Sequence, residues 1–451
     1  MRLTRSLTVA AAVCAALVPS SPLGPAVAAD TASTTLTGSL PNGTTWQAEV
    51  PEDWDGTTVL FSHGFRMGSE NPAWDTGFAP TAQALVDRGT AVVASSYATT
   101  GWALGTAVQD QIDALAAFEA RAGDSDRVIA MGRSMGGLVT SLIAERPDAG
   151  VDAAVSTCGL VGGGVALNNY QLDAAYAAVR LLAPEADVPL VGFTSPEEAQ
   201  ATVDTIAKAL DEAADSPQGR ARVALVAALL NTPTELPGVD QSDPEELAAA
   251  QAELVRSTLP EVIRRRSAIV NAAGGDSGWT AGVDYQHLLR QSAQQDQVQA
   301  LYRGAGLNLG ADLRRLTETA DIEPDPAGLS WMSRTSVPTG DLQVPVLATH
   351  TLVDVLAPVE YQEEYAETIR EAGRSSLLRQ AYVDAVGHCA FNVAENLAAV
   401  EAVEHRLDTG RWGIAATAEA LDAAAEEHGE GRYVRFRPAE FVNDRTWGTV
   451  D

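Results

Sequence analysis

The feature that most constrains this chain is a series of short, continuous apolar runs separated by amphipathic stretches. The runs are Thr58 to Ser62, Ala91 to Ser95, Val128 to Met131 and Ala153 to Ser156. A strand that is apolar on both faces cannot meet water on either, so it needs a covering layer on each side. The intervening stretches, such as Thr106 to Ala122 and Gly136 to Glu145, read as the helices that supply those layers. The pattern predicts a doubly wound α/β architecture with a mostly parallel sheet. Ahead of it, Thr34 to Leu40 and Thr44 to Val50 are joined by the turn-forming Pro41-Asn42-Gly43, which predicts an antiparallel hairpin at the sheet edge.

The alternation stops at about Gly159 and resumes near Asp341. Between them lie helical stretches rich in Ala, Leu and Glu, in which Leu172, Ala175, Tyr176 and Val179 keep one apolar face. Ser195-Pro196-Glu197-Glu198 and Asp243-Pro244-Glu245-Glu246 each combine an N-cap, a proline at the first helical position and a glutamate at the third. Strands are expected again at Val344 to Ala348 and Leu377 to Val383, then a helix from Val393 to Arg406. The expected division is therefore a core over 29–158, an inserted helical cap over 159–341, and the rest of the core with C-terminal helices over 342–451. An independent helical domain on a linker is the competing reading of the insertion. Residues 412–451 receive no role.

The first 28 residues carry Arg2 and Arg5, a 12-residue apolar run from Leu7 to Val18, and Ala26-Val27-Ala28. This is the pattern of a secretory signal peptide, and the run falls short of the roughly 20 residues that span a bilayer. An extracellular protein without stable membrane attachment is expected. Among its 451 residues 60 Asp and Glu outnumber 30 Lys and Arg, for a formal charge of −30, which excludes nucleic-acid binding through a basic face.

Gly132-Arg133-Ser134-Met135-Gly136 fits G-x-S-x-G at the passage from a buried strand into a helix. There a serine sits exposed on a tight turn, with glycines where side chains would collide with the neighbouring strand and helix. Upstream, the strand ending at Ser62 runs into His63-Gly64-Phe65. If Ser134 is a nucleophile in acyl transfer, the developing oxyanion needs two N–H donors, and Met135 and Phe65 are the candidates. A base that is neutral near pH 7 must be a histidine. His388, in Val386-Gly387-His388-Cys389 after a core strand, is placed to reach over the sheet. His63 and Gly64 read as loop support, with His63 the alternative base. His287 and His350 are candidates for substrate contact, while His405 and His428 read as solvated. Asp354, after the strand beginning near Val346, is the expected partner of His388; Asp384 and Asp341 compete with it.

The His63-Gly64 loop, the Ser134 elbow, Asp354 and His388, in this strand and helix order, resemble the α/β-hydrolase fold family over roughly Thr34 to Arg406. The signal peptide, the large cap and the Gly-His-Cys ending are similar to secreted actinobacterial hydrolases and esterases. The resemblance implies hydrolysis through an acyl-enzyme on Ser134, without naming a substrate. Ser134 argues against the related dehalogenases, which use an aspartate there. Tannase-like and feruloyl esterases pair the cysteine after the histidine with one directly before the serine; Arg133 occupies that place here.

Cys158 and Cys389 remain after export, and in an oxidising compartment their pairing is the default. No H-E-x-x-H, C-x-x-C or P-loop is present, so neither metal nor cofactor is expected. The expected activity is cleavage of a small carboxylic ester, or an amide, by a serine hydrolase. A secreted aminopeptidase competes with it and would need carboxylates in the cap near Ser134; a catalytically silent binding protein is the third reading. Oligomeric state is left open.

Overall fold

The computed structural model describes residues 32–193, 195–443 and 445; the signal-peptide reading lies outside them. The described strands are β1 (Ser33–Ser39), β2 (Thr45–Pro51), β3 (Thr57–Ser62), β4 (Ala91–Ser95) and β5 (Arg127–Arg133). They continue with β6 (Ala153–Thr157), β7 (Val346–Val353), β8 (Leu378–Val386) and β9 (Tyr433–Val434). Together they form one sheet in the order β1-β2-β4-β3-β5-β6-β7-β8-β9. From β4 to β8 every neighbouring pair is parallel, while β1, β2 and β9 run antiparallel to their neighbours.

Helices α1 (Ala79–Val86), α2 (Ala107–Ala122) and α3 (Met135–Ala144) connect the first parallel strands. The two faces of β3 show why the apolar runs are continuous. Val59 and Phe61 pack with Leu85 and Val86 of α1, whereas Leu60 between them packs with Leu115 and Phe118 of α2. All six residues of β3 are buried. Each such large side chain contributes about 1.5–3 kcal/mol relative to exposure, so both layers are held by the same short strand.

Between β6 and β7 run α4 (Gly163–Leu182), α5 (Pro196–Ala213), α6 (Pro217–Leu229) and α7 (Pro244–Ala273). They are followed by α8 (Tyr285–Gln291), α9 (Gln295–Gly304), α10 (Leu309–Glu318) and α11 (Pro326–Thr335). The expected starts are capped: Ser195 accepts a hydrogen bond from the Glu198 N–H, and Asp243 from those of Glu245 and Glu246. One expectation needs correction. The reading gave α4 a single apolar face, but every residue from Gly163 to Val179 is buried. Helices α5, α6 and α7 all pack on it. Its small residues let neighbours approach from all sides, and its polar ones find partners. Asn168 donates to Ser277 Oγ at 2.7 Å and Asn169 accepts from the Trp279 N–H at 3.0 Å.

After β7 come α12 (Tyr361–Glu371), β8, α13 (Val393–Thr409) and α14 (Ala418–Glu426). The expected last core strand, β8, is flanked by one more, because Tyr433 and Val434 add β9 to its edge. The C-terminal segment then crosses to the helices above the sheet. Phe441 packs against Tyr170 and Tyr361, and Val442 donates its N–H to Asn231 Oδ1 at 2.8 Å. Arg445 closes the crossing with two bonds, of 2.7 and 2.8 Å, to the buried Asp173 carboxylate. This segment clasps the inserted helices to the core, a role its sequence does not announce.

Candidate active site

Ser134 stands between β5 and α3 with φ 59° and ψ −125°, a left-handed conformation that non-glycine residues rarely adopt. The turn persists because its surroundings allow no alternative. A Cβ on Gly136 would lie 2.0 Å from the Ser62 carbonyl oxygen, so only glycine lets α3 start this close to β3. The Ser134 N–H is held by the Thr157 carbonyl at 3.1 Å, and its own carbonyl accepts from Gly137 at 2.9 Å. The side chain is thereby aimed over the carboxyl ends of the strands.

Ser134 Oγ donates to Nε2 of His388 at 2.7 Å. On the other side of the ring, Nδ1 donates to Asp354 Oδ2 at 2.8 Å and faces Oδ1 at 3.0 Å. Asp354 is wholly buried on the loop after β7, where Oδ1 also accepts the N–H groups of Leu356 and Ala357 at 2.9 and 3.0 Å. Burial opposes its negative charge, yet His388, His350 and the Ala357 N–H outweigh that penalty and hold the carboxyl below its usual range. An ionised Asp354 fixes the proton on Nδ1, which leaves the Nε2 lone pair for the serine proton.

Met135 is the first residue of α3, so its N–H lies ahead of the intrahelical bonds and is open to an anion. Gly64 lies against Ser134, since a Cβ there would be 3.2 Å from Ser134 Cβ, and Phe65 follows it as a wall of the cleft over Ser134. His63 does not reach Ser134. Its ring is buried and stacked on Tyr97 at 4.0 Å, its nitrogens face the Gly64 and Ser96 carbonyls at 2.6 and 3.2 Å, and Tyr97 Oη donates to its own carbonyl. Burial, with Arg66 nearby, pushes its pKa down to about 4, so the ring is a neutral prop for the loop.

The remaining candidates are placed elsewhere. His350 is fully buried, with Nδ1 facing the Thr351 carbonyl at 2.9 Å, and burial holds it below its ordinary range. His287 bonds Arg290 on α8, His405 is exposed, and His428 pairs with Glu401 at 2.8 Å. Asp384 is exposed on β8, with its N–H on Arg432, and Asp341 pairs with Arg374. Cys158 and Cys389 are joined, tying the end of β6 to the loop that carries His388 across a sequence separation of 231 residues. The Cys389 sulfur lies 3.6 Å from His388 Nε2.

A cleft opens over Ser134 and His388. Phe65, Trp102, Leu160 and Leu356 form its apolar walls from the core side; Leu167 and Gln171 of α4 and Val262, Arg265 and Ile269 of α7 close it from above. The last three stand at i, i+3 and i+7, one face of a helix. Sequence reasoning did not find this lining: the run Arg264-Arg265-Arg266 was the available signal, but which arginine turns inward depends on how α7 packs. Among the described residues no cluster of His, Cys, Asp and Glu is arranged to hold a metal ion, and no helix is long and apolar enough to cross a membrane.

Six parallel strands from β4 to β8, a reversed second strand, the tight strand-to-helix turn at Ser134 after β5 and the loop of Asp354 after β7 decide the architecture. The chain has the α/β-hydrolase fold. No protein-family model matches its sequence. It is 29% identical over 456 residues to the o-phthalyl amidase of Xanthobacter agilis, an alignment covering 94% of this chain and 99% of that protein. Among solved structures it is similar to an esterase of Pyrococcus furiosus (12% identity, 83% of this chain and 90% of that one, TM-score 0.38). Others are feruloyl esterase B of Aspergillus oryzae (14% identity, 84% and 80%, TM-score 0.38) and a Mycobacterium smegmatis proline iminopeptidase (14%, 88% and 100%, TM-score 0.35). Fold, site geometry and the full-length likeness support a hydrolase.

Proposed function

We propose that this protein is a secreted serine hydrolase that cleaves small carboxylic esters or amides through an acyl-enzyme. The observation that carries the reading is the continuous relay from Ser134 Oγ through His388 to Asp354, at 2.7 and 2.8 Å. In the first half-reaction Ser134 Oγ bonds to the acyl carbon while His388 Nε2 takes the hydroxyl proton. The Met135 and Phe65 N–H groups stabilise the oxyanion, and His388 returns the proton to the departing alcohol or amine. Water then repeats the sequence on the ester of Ser134, releasing the acid and restoring the serine. Asp354 holds the imidazole in the required tautomer and stabilises its charged form.

The full-length likeness to an enzyme named as an amidase supports including amides beside esters. The aminopeptidase reading finds less support: it needs a carboxylate to bind a free α-amine, and the cleft's one charged wall residue among those described is Arg265. The test is steady-state hydrolysis of matched phenyl esters and anilides by wild type and Ser134→Ala. Turnover by the wild type and a loss of about 10⁴-fold or more in the variant are expected. Retention of a tenth of the activity in Ser134→Ala would overturn the reading.

A further inference from the structure

Arg265 is the feature of the cleft that the reaction just described does not use. Its two cleft neighbours on α7 are Val262 and Ile269, and the facing walls are largely apolar. Its Nε donates to Glu261 Oε1 at 2.7 Å, and its guanidinium carbon lies 5.9 Å from the centre of the Phe65 ring. Glu261 is shared, since Oε2 also accepts from Arg264 at 3.2 Å, so one carboxylate serves two guanidinium groups. The terminal nitrogens of Arg265 have no partner among the described residues. Arg266, next in the chain, differs on every count: it is buried and spends its fork on Asp276 and the Asn168 carbonyl. One of three consecutive arginines is therefore left with its terminal donors free in the cleft that Ser134 also lines.

A guanidinium held through Nε keeps its Nη pair as a planar fork, which matches the two oxygens of a carboxylate. The apolar cleft beside it strengthens such a pair, although the Arg265 side chain itself stays one-third exposed. We infer that the substrate is an ester or amide that also carries a free carboxylate, which Arg265 binds while the adjacent apolar walls take the hydrocarbon between the two groups. On the acyl side such a substrate is a monoester or monoamide of a dicarboxylic acid, and the reaction releases the dicarboxylate. The chain's net charge of −30 works against any anion at long range, although salt screens that field beyond about 8 Å. A preference for an anionic substrate therefore has to come from contact inside the cleft.

This inference rests on the serine-hydrolase reading, and the test separates the two. Phenyl valerate, monophenyl glutarate and 4-(valeryloxy)benzoate offer a neutral ester, a carboxylate on the acyl side and one on the leaving side. The ratio of kcat/KM for the better anionic ester to that for phenyl valerate is measured for wild type, Arg265→Met and Arg265→Lys. The expected wild-type ratio exceeds one, Arg265→Met lowers it roughly 10- to 100-fold, and Arg265→Lys falls between, because it keeps the charge and loses the fork. A residue that only supports the helix would lower all three rates together and leave the ratio unchanged. An unchanged ratio in Arg265→Met, or a wild type that favours phenyl valerate over both anions, overturns the inference. Ser134→Ala is the control: activity surviving in that variant indicts the serine-hydrolase reading, whereas its loss beside an unchanged ratio indicts Arg265 alone.

Discussion

Arg266 offers the clearest energetic test of how the inserted helices are held, because its neighbour Arg265 is assigned an entirely different part. Its side chain is 5% exposed and that of Asp276 is 8% exposed. Arg266 Nε donates to Asp276 Oδ2 at 2.7 Å, Nη2 donates to Oδ1, and Nη1 donates to the Asn168 carbonyl on α4 at 2.9 Å. Replacing Arg266 by Met preserves the aliphatic stem but removes all three bonds. Asp276 would keep only the Gly278 N–H, at 2.9 Å, as a buried carboxylate without its counter-charge. Breaking a buried pair on one side costs about 3–5 kcal/mol, whereas removing both partners costs much less. Arg266→Met should therefore lose about that much stability in urea unfolding, and the double variant Arg266→Met/Asp276→Leu should recover at least about 2 kcal/mol of it. Since the wild type needs a measurable baseline, unfolding is followed by both fluorescence and circular dichroism, whose transitions should coincide. A loss below about 1 kcal/mol, or a double variant as unstable as the two single losses added together, would refute the reasoning that this pair pins α7 to α4.

Other expectations follow from the same geometry. Asp354→Asn should cost several orders of magnitude in kcat by favouring the wrong imidazole tautomer, while Asp384→Asn, exposed on β8, should leave turnover near wild type; the reverse ranking in the same esterase assay would move the acid. Glu360 is buried with Oε2 unpaired, and burial pushes its pKa up to about 7. The folded state therefore holds this proton where the unfolded chain has released it, so the stability it contributes is full below about pH 4.5 and is lost as pH rises through 7. The loss is on the order of 3 kcal/mol by pH 8. Glu360→Gln should accordingly raise Tm at pH 8 and change it little at pH 5; equal shifts at both pH values would contradict this. Reduction of the Cys158–Cys389 bond, at a temperature where circular dichroism stays native, should lower activity by releasing the His388 loop, and unchanged kcat would show that the loop holds itself. Finally, hydrolysis of tributyrin should rise smoothly through its solubility limit, and a jump there would show that the helices over the site act as a lid opening on an interface.

The parts of this molecule that were legible in the sequence are those where chemistry or backbone geometry restricts the residue type. Strands β3 to β6 declare themselves because burial on both faces removes the alternation of apolar and polar positions. The elbow at Ser134 is readable because Gly136 meets the Ser62 carbonyl and admits no side chain. Asp354 and His388 follow from where β7 and β8 end, and the structure places His388 within hydrogen-bond distance of Asp354 on one side of its ring and of Ser134 on the other. What stayed hidden depends on how helices lie against each other. Nothing local distinguishes Arg265 from Arg264 or Arg266; only the packing of α7 on α4 turns one into solvent, one into the cleft and one into the core. The same holds for α4, whose sequence shows one apolar face although every residue from Gly163 to Val179 is enclosed. The C-terminal clasp was unreadable for a related reason, since Phe441 and Arg445 find Tyr170 and Asp173 from more than 250 residues away.

The central claim is that Ser134 is the nucleophile, and covalent capture tests it without reference to any substrate. The purified protein is treated with a fluorophosphonate, and the adduct is located by peptide mass spectrometry. The account predicts one adduct per chain, on Ser134, blocked in His388→Ala, where the base that activates the hydroxyl is gone. A protein that remains unlabelled under conditions that label a known serine hydrolase, or that is labelled at another residue, would contradict it.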